Sequence, residues 1–215
     1  GLRSETADSA KKSPFDSPWD DEKPEPAPTV TCEKDKPCVP TYRLNGEIDE
    51  RSTTRAIGWI ENANKAGAQA MVLEMNSPGG SVPDGFELAK AIENSAVPVT
   101  CVTDGESASM SAYILQSCTT RYMTARSTLM FHEPSYGGNF RGTPNEWQAI
   151  SNMMAALREA IAQHCWHRLN ISFDEYKAHT EGNRMWWLSA DQAMNVAAID
   201  RVVGSVKEAI RLATP

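Results

Sequence analysis

The sequence predicts an α/β fold that follows an extended N-terminal tail. From Thr41 onward, short apolar runs typical of strands alternate with segments of helical periodicity. This alternation is typical of a parallel sheet whose strands are connected by crossover helices. With 40% hydrophobic and 23% charged residues among 215, the chain can build a core, and its length suggests one domain.

Composition argues against two function classes. The formal net charge is −7, so the chain lacks the basic surface that nucleic-acid binding requires, and we expect no nucleic-acid partner. No apolar run approaches the ~20 residues that a membrane-spanning helix needs.

Residues 1–40 differ in composition from the rest of the chain. They hold seven of the 13 prolines, and residues 1–30 contain almost no aliphatic side chains. Such a segment buries too little apolar surface to offset its chain entropy. We therefore assign residues 1–40 to a disordered, Pro-rich acidic tail and residues 41–215 to the folded domain. Phe15 and Trp19 are the tail's candidate anchors on a neighbour, and the favoured interpretation is a solvated tail.

The five cysteines fall into two groups. Cys32 and Cys38 flank the polar segment CEKDKPC, and this spacing favours a small disulfide loop, with two free thiols as the alternative. A disulfide there would indicate an oxidising compartment. Cys101, Cys118 and Cys165 lie in apolar strand or helix segments, and we predict that they are buried free thiols.

The elements of the first half follow from hydrophobic pattern and turn residues. The predicted strands are TYRLNG, QAMVLEM, VPVTCVT, RYM and STLMF. Asp49 opens the first helix, and the turn NSPGGS precedes the second. SASMSAYILQS contains no turn signal, so we interpret it as a buried helix.

Helices of the second half begin at capping signals. Residues 143–146, Thr-Pro-Asn-Glu, form a capping box with proline at the first helical position. This helix should run from Pro144 to about Leu169, with an apolar stripe of Trp147, Ile150, Met154, Leu157 and Ile161. We predict that the stripe packs partly against another subunit, the alternative being a wholly intramolecular contact. Further helix starts are Ser172 with Glu175, Ser189 with Gln192 and Ser205 with Glu208.

Three segments contain residues that could carry chemistry. The adjacent glycines of NSPGGS can point backbone N–H groups at a ligand, and the sequence after them lacks the Lys-Ser/Thr of a phosphate loop. Ser109 lies where a strand meets a helix, where it is either an N-cap or a nucleophile. His132 ends an apolar strand, as a core histidine or a base. Together they fit Ser–His acyl chemistry.

Two other histidines, His164 and His167, share a helix face. Without further ligands at suitable spacing we interpret them as surface residues and expect no metal site.

At this point the sequence resembles the family of Clp protease (caseinolytic protease) proteolytic subunits. The matching segments are YRLNGEID, MNSPGGS, ASMSA where the family has ASMGA, His132-Glu133-Pro134 and WLSADQA, over about residues 42–204. The resemblance implies a crotonase-like fold of repeated ββα units with a long handle helix. It implies no cofactor, a peptide or unfolded protein as substrate, and a homo-oligomer.

The resemblance also implies roles for individual residues. Ser109 would be the nucleophile and His132 the base, while the N–H groups of Gly80 and Met110 would form the oxyanion hole. The family's third catalytic residue is the Asp of a stretch like TERDRFLSA. When the two segments are aligned from their N-terminal ends, Asn183 takes the place of this Asp, and when they are aligned from the C-terminal LSA, Met185 does. An Asn there predicts slow hydrolysis or activity that depends on assembly, since the Asp-to-Asn change in a serine protease lowers turnover ~10⁴-fold.

The family's ATPase-docking segment is not recognisable at the N-terminus, so we expect no dedicated ATPase partner. With the Cys pair, this favours a periplasmic or secreted protein over a cytoplasmic one. The predicted function is a serine endopeptidase, and the alternative is a catalytically impaired scaffold or peptide-binding protein. A Ser–Lys peptidase is disfavoured because no lysine lies between Lys90 and Lys177. A crotonase-type acyl-CoA enzyme is disfavoured because no paired carboxylates are placed for it.

Overall fold

A computed structural model describes residues 25–137 and 141–215. The predicted anchors Phe15 and Trp19 lie outside the described residues, as does the rest of segment 1–24. The strands are β1 (Thr41–Asn45), β2 (Met71–Ser77), β3 (Val99–Ala108), β4 (Thr120–Thr124), β5 (Thr128–Phe131), β6 (Trp186–Ser189) and β7 (Arg201–Val203). The helices are α1 (Glu50–Ala66), α2 (Val82–Glu93), α3 (Met110–Ser117), α4 (Pro144–Trp166), α5 (Phe173–Thr180), α6 (Ala190–Asn195) and α7 (Val206–Ala213).

The strands form one mostly parallel sheet, which confirms the predicted fold class. Its main path is β1-β2-β3-β4-β7, and β5 pairs with β3 while β6 lies antiparallel on β5. Strand β3 changes partner along its length: Thr100–Thr103 pair with β4, whereas Glu106–Ala108 pair with β5. The carboxyl ends of β3 and β5 therefore lie side by side.

Helices cover both faces of this sheet. Alternate residues of β2 and β3 point to opposite sides, so Leu73 and Cys101 join the main core with α1 and α3, while Val72 and Val102 pack with α7 through Ala209. Residues 71–73 of β2 and 99–103 of β3 are buried on both faces of the sheet.

The predicted helix starts are confirmed by their caps. Asp49, Thr143 and Ser189 each make a reciprocal capping box with the residue three positions later. Ser172 and Ser205 accept the N–H of the third helical residue with their side chains.

Residues 25–40, which the sequence assigns to the tail, have no helix or strand but lie against α1. The Asn62 amide donates to the carbonyl of Pro28 at 3.0 Å. A Cβ added to Gly58 would lie 2.5 Å from the Cβ of Ala27, so a glycine in the middle of α1 lets this segment approach closely.

Two disulfides are present among the described residues. Cys32 joins Cys38, as the spacing favours. The prediction that Cys101 and Cys118 are free thiols is wrong, because they form a second disulfide with Cα atoms 5.8 Å apart. Cys101 points from β3 toward α3, and Cys118 ends that helix directly above it. Cys165 is the free cysteine of the described chain, and it is buried as predicted.

Helix α4 is buried over its C-terminal part alone. It ends at Trp166 rather than near Leu169, and its buried residues are Ile161, Ala162 and Cys165. In the N-terminal half of the helix, Met153 and Trp147 are about half exposed. In the described ranges, no helix is both long and apolar enough to cross a membrane.

Candidate active site

Ser109 occupies the sharp turn between β3 and α3. Its backbone has φ 56° and ψ −120°, which is unusual for a residue with a side chain and marks a strained position. The turn is held because the Ser109 N–H donates to the carbonyl of Met130 at 3.0 Å and the Ser109 carbonyl accepts the N–H of Tyr113. The Ser109 hydroxyl makes no cap bond to α3, so it is free to face another partner.

That partner is His132, the residue that follows β5. Because Ala108 of β3 pairs with Met130 of β5, the residues that follow the two strands are neighbours. The Oγ of Ser109 and the Nε2 of His132 are 2.7 Å apart. A neutral imidazole with its proton on Nδ1 accepts the hydroxyl proton in this arrangement, which is the geometry of a nucleophile and its general base.

The environment of His132 favours this neutral form. The ring is about half buried, and this burial lowers its pKa below the usual value, while the charge of Glu133 opposes the shift. A base must be unprotonated to accept a proton, so burial keeps His132 competent at neutral pH.

Two backbone N–H groups, those of Gly80 and Met110, belong to the two turns at Ser109. Ile48 bonds to both neighbours of Gly80, donating to Gly79 at 2.8 Å and accepting from Ser81 at 2.7 Å. Within residues 25–137 and 141–215, neither the Gly80 N–H nor the Met110 N–H has an acceptor. A Cβ on Gly79 would lie 2.9 Å from the Met110 nitrogen, so the two turns are in direct contact. Free N–H groups at such a contact can hold a developing oxyanion.

A small apolar cavity of about 20 Å³ adjoins the Ser–His pair. Besides Ser109 and His132, its lining consists of Val82, Met110, Tyr113, Phe131, Pro134, Ile161 and Cys165. Burial raises the pKa of Tyr113 to about 12 and that of Cys165 to about 12, so both are uncharged at neutral pH. The cavity can therefore accept a small apolar group and disfavours a charged one.

Asn183 lies in the turn after α5, next to Glu133, and in the part of the chain that the structure describes it makes no hydrogen bond to the His132 ring. Its backbone has φ 61°, and its N–H donates to Oε1 of Glu133 at 3.0 Å. The hydrogen bond that we predict from its amide oxygen to His132 is not among those of the described residues, so this role stays a prediction. Met185, the other alignment choice, is 63% exposed.

Glu133 is a residue of this site to which the sequence analysis assigned no role. It stands beside the base in the quoted His-Glu-Pro segment, and a carboxylate next to a candidate base was the available signal.

The remaining histidine pair, His164 and His167, lies at the C-terminal end of α4. His164 is partly buried rather than on the surface: its ring stacks on Tyr113 with centroids 3.9 Å apart, and its Nε2 is 3.0 Å from the Ser117 hydroxyl. In the part of the chain that the structure describes, no three His, Cys, Asp or Glu side chains cluster as metal ligands do.

The structure thus brings together, in an α/β protein, a serine at positive φ and a histidine whose Nε2 lies 2.7 Å from the serine Oγ. The family model described as Clp protease matches residues 42–206. The chain belongs to the Clp protease family, whose members are peptidases, and the predicted family is thereby confirmed.

Several curated proteins are similar over most of their length. The ATP-dependent Clp protease proteolytic subunit 1 of Chlamydia trachomatis serovar D is 28% identical over 166 residues, covering 75% of this chain and 84% of the relative. Subunit 3 of Rhodococcus jostii is 30% identical over 173 residues, covering 78% and 83%. Subunit 3 of Parasynechococcus marenigrum is 29% identical over 144 residues, covering 66% and 70%.

Proposed function

We propose that this protein is a serine endopeptidase with Ser109 as nucleophile and His132 as base. The observation that carries the proposal is the 2.7 Å contact between Ser109 Oγ and His132 Nε2 at the carboxyl edge of the sheet. In the first step His132 takes the hydroxyl proton while Oγ attacks the peptide carbonyl carbon. The backbone N–H groups of Gly80 and Met110 bind the oxyanion of the tetrahedral intermediate.

The second half of the cycle uses the same groups. His132 returns the proton to the leaving amine, which breaks the peptide bond and leaves an acyl ester on Ser109. A water molecule, deprotonated by His132, then hydrolyses this ester and regenerates the enzyme. Asn183 would orient the imidazole through its amide oxygen but carries no charge to stabilise the imidazolium, so we expect slow turnover.

The cavity beside Ser109 supports a substrate class. Its volume of about 20 Å³ and its apolar lining favour a small apolar side chain next to the scissile bond. An extended peptide or an unfolded protein segment presents such a side chain, whereas a folded surface does not.

Assembly and compartment belong to the same proposal. The exposed apolar residues of α4, Met153 and Trp147 among them, support a homo-oligomer in which this helix contacts another subunit. The two disulfides support an oxidising compartment, the periplasm or the extracellular space.

Covalent labelling of Ser109 by a fluorophosphonate, read by mass spectrometry, tests the proposal. The wild type should label and cleave an unfolded protein, and Ser109→Ala should do neither while keeping its thermal transition. Ser111→Ala is the matched control, because the buried Ser111 hydroxyl has no hydrogen-bond partner among the described residues. A folded wild type that neither labels nor cleaves would support the alternative, a catalytically impaired scaffold.

A further inference from the structure

Within residues 25–137 and 141–215, His132 has no acidic hydrogen-bond partner of the kind that Ser–His chemistry ordinarily uses. Such a partner holds the second ring nitrogen and stabilises the imidazolium that forms during attack. The described residues give the Nδ1 of His132 no hydrogen-bond acceptor, and Asn183 is neutral. A negative charge from another residue would fill part of this role.

Glu133 is placed to supply that charge. It follows His132 directly, and its side chain is 20% exposed. Its Oε1 accepts the N–H of Asn183 at 3.0 Å, and its Oε2 lies 3.7 Å from Nη1 of Arg158 on α4. The carboxylate thus contacts two other parts of the site, and both contacts restrict its position.

We infer that Glu133 is a positioning residue that stabilises protonated His132 by its negative charge and fixes the turn that carries Asn183. The inference rests on the proposed Ser109–His132 peptidase and adds a residue to it. The charge acts through space on the imidazole, in the direction that raises the pKa of His132 against the effect of burial.

The other titratable groups around the base do not replace Glu133. His132 also lines a second small cavity, which lies between the residues after β5 and helices α4 and α5. The other titratable groups that line these two cavities are Tyr113, Arg158, Glu159, Cys165, Tyr176 and Glu181. Burial raises the pKa of each tyrosine and of the cysteine, so all three are neutral. Arg158 carries a positive charge, which cannot stabilise the protonated imidazole. Among the carboxylates, Glu133 is the one whose charge raises the pKa of His132.

The Glu133→Gln variant isolates the charge, because glutamine keeps an oxygen that can accept the Asn183 N–H. The His132 titration is followed by NMR in the full chain, assigned against His132→Ala. We expect Glu133→Gln to lower the pKa of His132, since the cation loses a stabilising charge. The acid limb of Ser109 fluorophosphonate labelling should move to lower pH, and the plateau rate should fall about tenfold, less than the ~10⁴ of losing a directly bonded Asp.

Two further variants complete the test. Glu133→Asp keeps the charge and should retain the wild-type acid limb and recover part of the plateau rate. Glu159→Gln is the matched control: it removes another carboxylate from the same cavity wall, one bonded to Gln163, and should leave the His132 pKa unchanged.

The possible results separate this inference from the proposed function. An unchanged pKa and plateau in Glu133→Gln overturn the inference even if the wild type is an active peptidase. Equal effects of Glu159→Gln and Glu133→Gln overturn it as well, since the effect would then belong to general surface charge. If the pKa falls in Glu133→Gln alone while wild-type Ser109 never labels, the charge coupling stands and the proposed peptidase fails.

Discussion

Replacing Gly79 by alanine should damage the nucleophile turn directly. Gly79 has φ +96°, and a Cβ at this position would lie 2.7 Å from the Ala108 carbonyl oxygen and 2.7 Å from the Ser109 Cβ. The same Cβ would lie 2.9 Å from the Met110 nitrogen. Backbone atoms of the Ser109 turn must therefore move, and the N–H group proposed for the oxyanion moves with them.

The size of the effect has two parts. Alanine at positive φ costs about 1–2 kcal/mol of folding free energy. Forcing a methyl group into a filled site adds about 1–3 kcal/mol. For a domain of this size each kcal/mol lowers the Tm by about 2–4 °C, so the loss should be about 4–20 °C. Displacement of the nucleophile by about 1 Å should slow Ser109 labelling on the order of 10²-fold.

Gly46→Ala is the matched control for this experiment. Gly46 has φ +90°, and no described atom lies within 4 Å of its added Cβ, so only the conformational part applies. Thermal unfolding and the fluorophosphonate labelling rate are measured on both variants. If Gly79→Ala matched Gly46→Ala in Tm and labelled at the wild-type rate, the contact between the two turns would not be as we describe it.

Other measurements test the remaining features. Thiol titration of denatured, unreduced protein should find one free thiol, Cys165; three would mean that one of the two disulfides is absent, and five that both are. Asn183→Asp, which tolerates the same positive φ, should raise turnover by ~10² or more, and Asn183→Ala should lower it; unchanged rates in both would place Asn183 outside the mechanism. Met153→Glu should weaken self-association in light scattering, and a wild type that stays strictly monomeric at high concentration would contradict the assembly proposal.

Local signals in the sequence were enough to predict most elements and the central pair of the site. Helix starts depend on residues three positions apart, so Asp49 and Thr143 could be assigned from the sequence alone. Ser109 and His132 follow strands that could be recognised, and parallel pairing brings strand ends together.

The features that the sequence left unassigned depend on register between distant segments. The Cys101–Cys118 bond requires knowing that Cys101 faces the end of α3, and a one-residue shift would turn it to the other face. The contact of Glu133 with the Asn183 turn joins residues 50 positions apart through a loop of irregular conformation. Periodicity carries no information about such a contact.

The buried disulfide encloses the nucleophile in a covalent ring, because Ser109 lies between Cys101 and Cys118, whose sequence separation is 17. Closing a loop of about this length is worth ~3 kcal/mol in the chain-entropy model. No lysine or arginine occurs from residue 91 to residue 120, so trypsin releases the ring intact in one fragment, residues 91–121. The mass of this fragment shows whether Ser109 has reacted with a label. It also shows whether the Cys101–Cys118 disulfide is closed, since reduction adds two hydrogen atoms. In protein isolated from cells, one mass spectrum can therefore show whether the fragments with a closed disulfide are also those in which Ser109 has reacted.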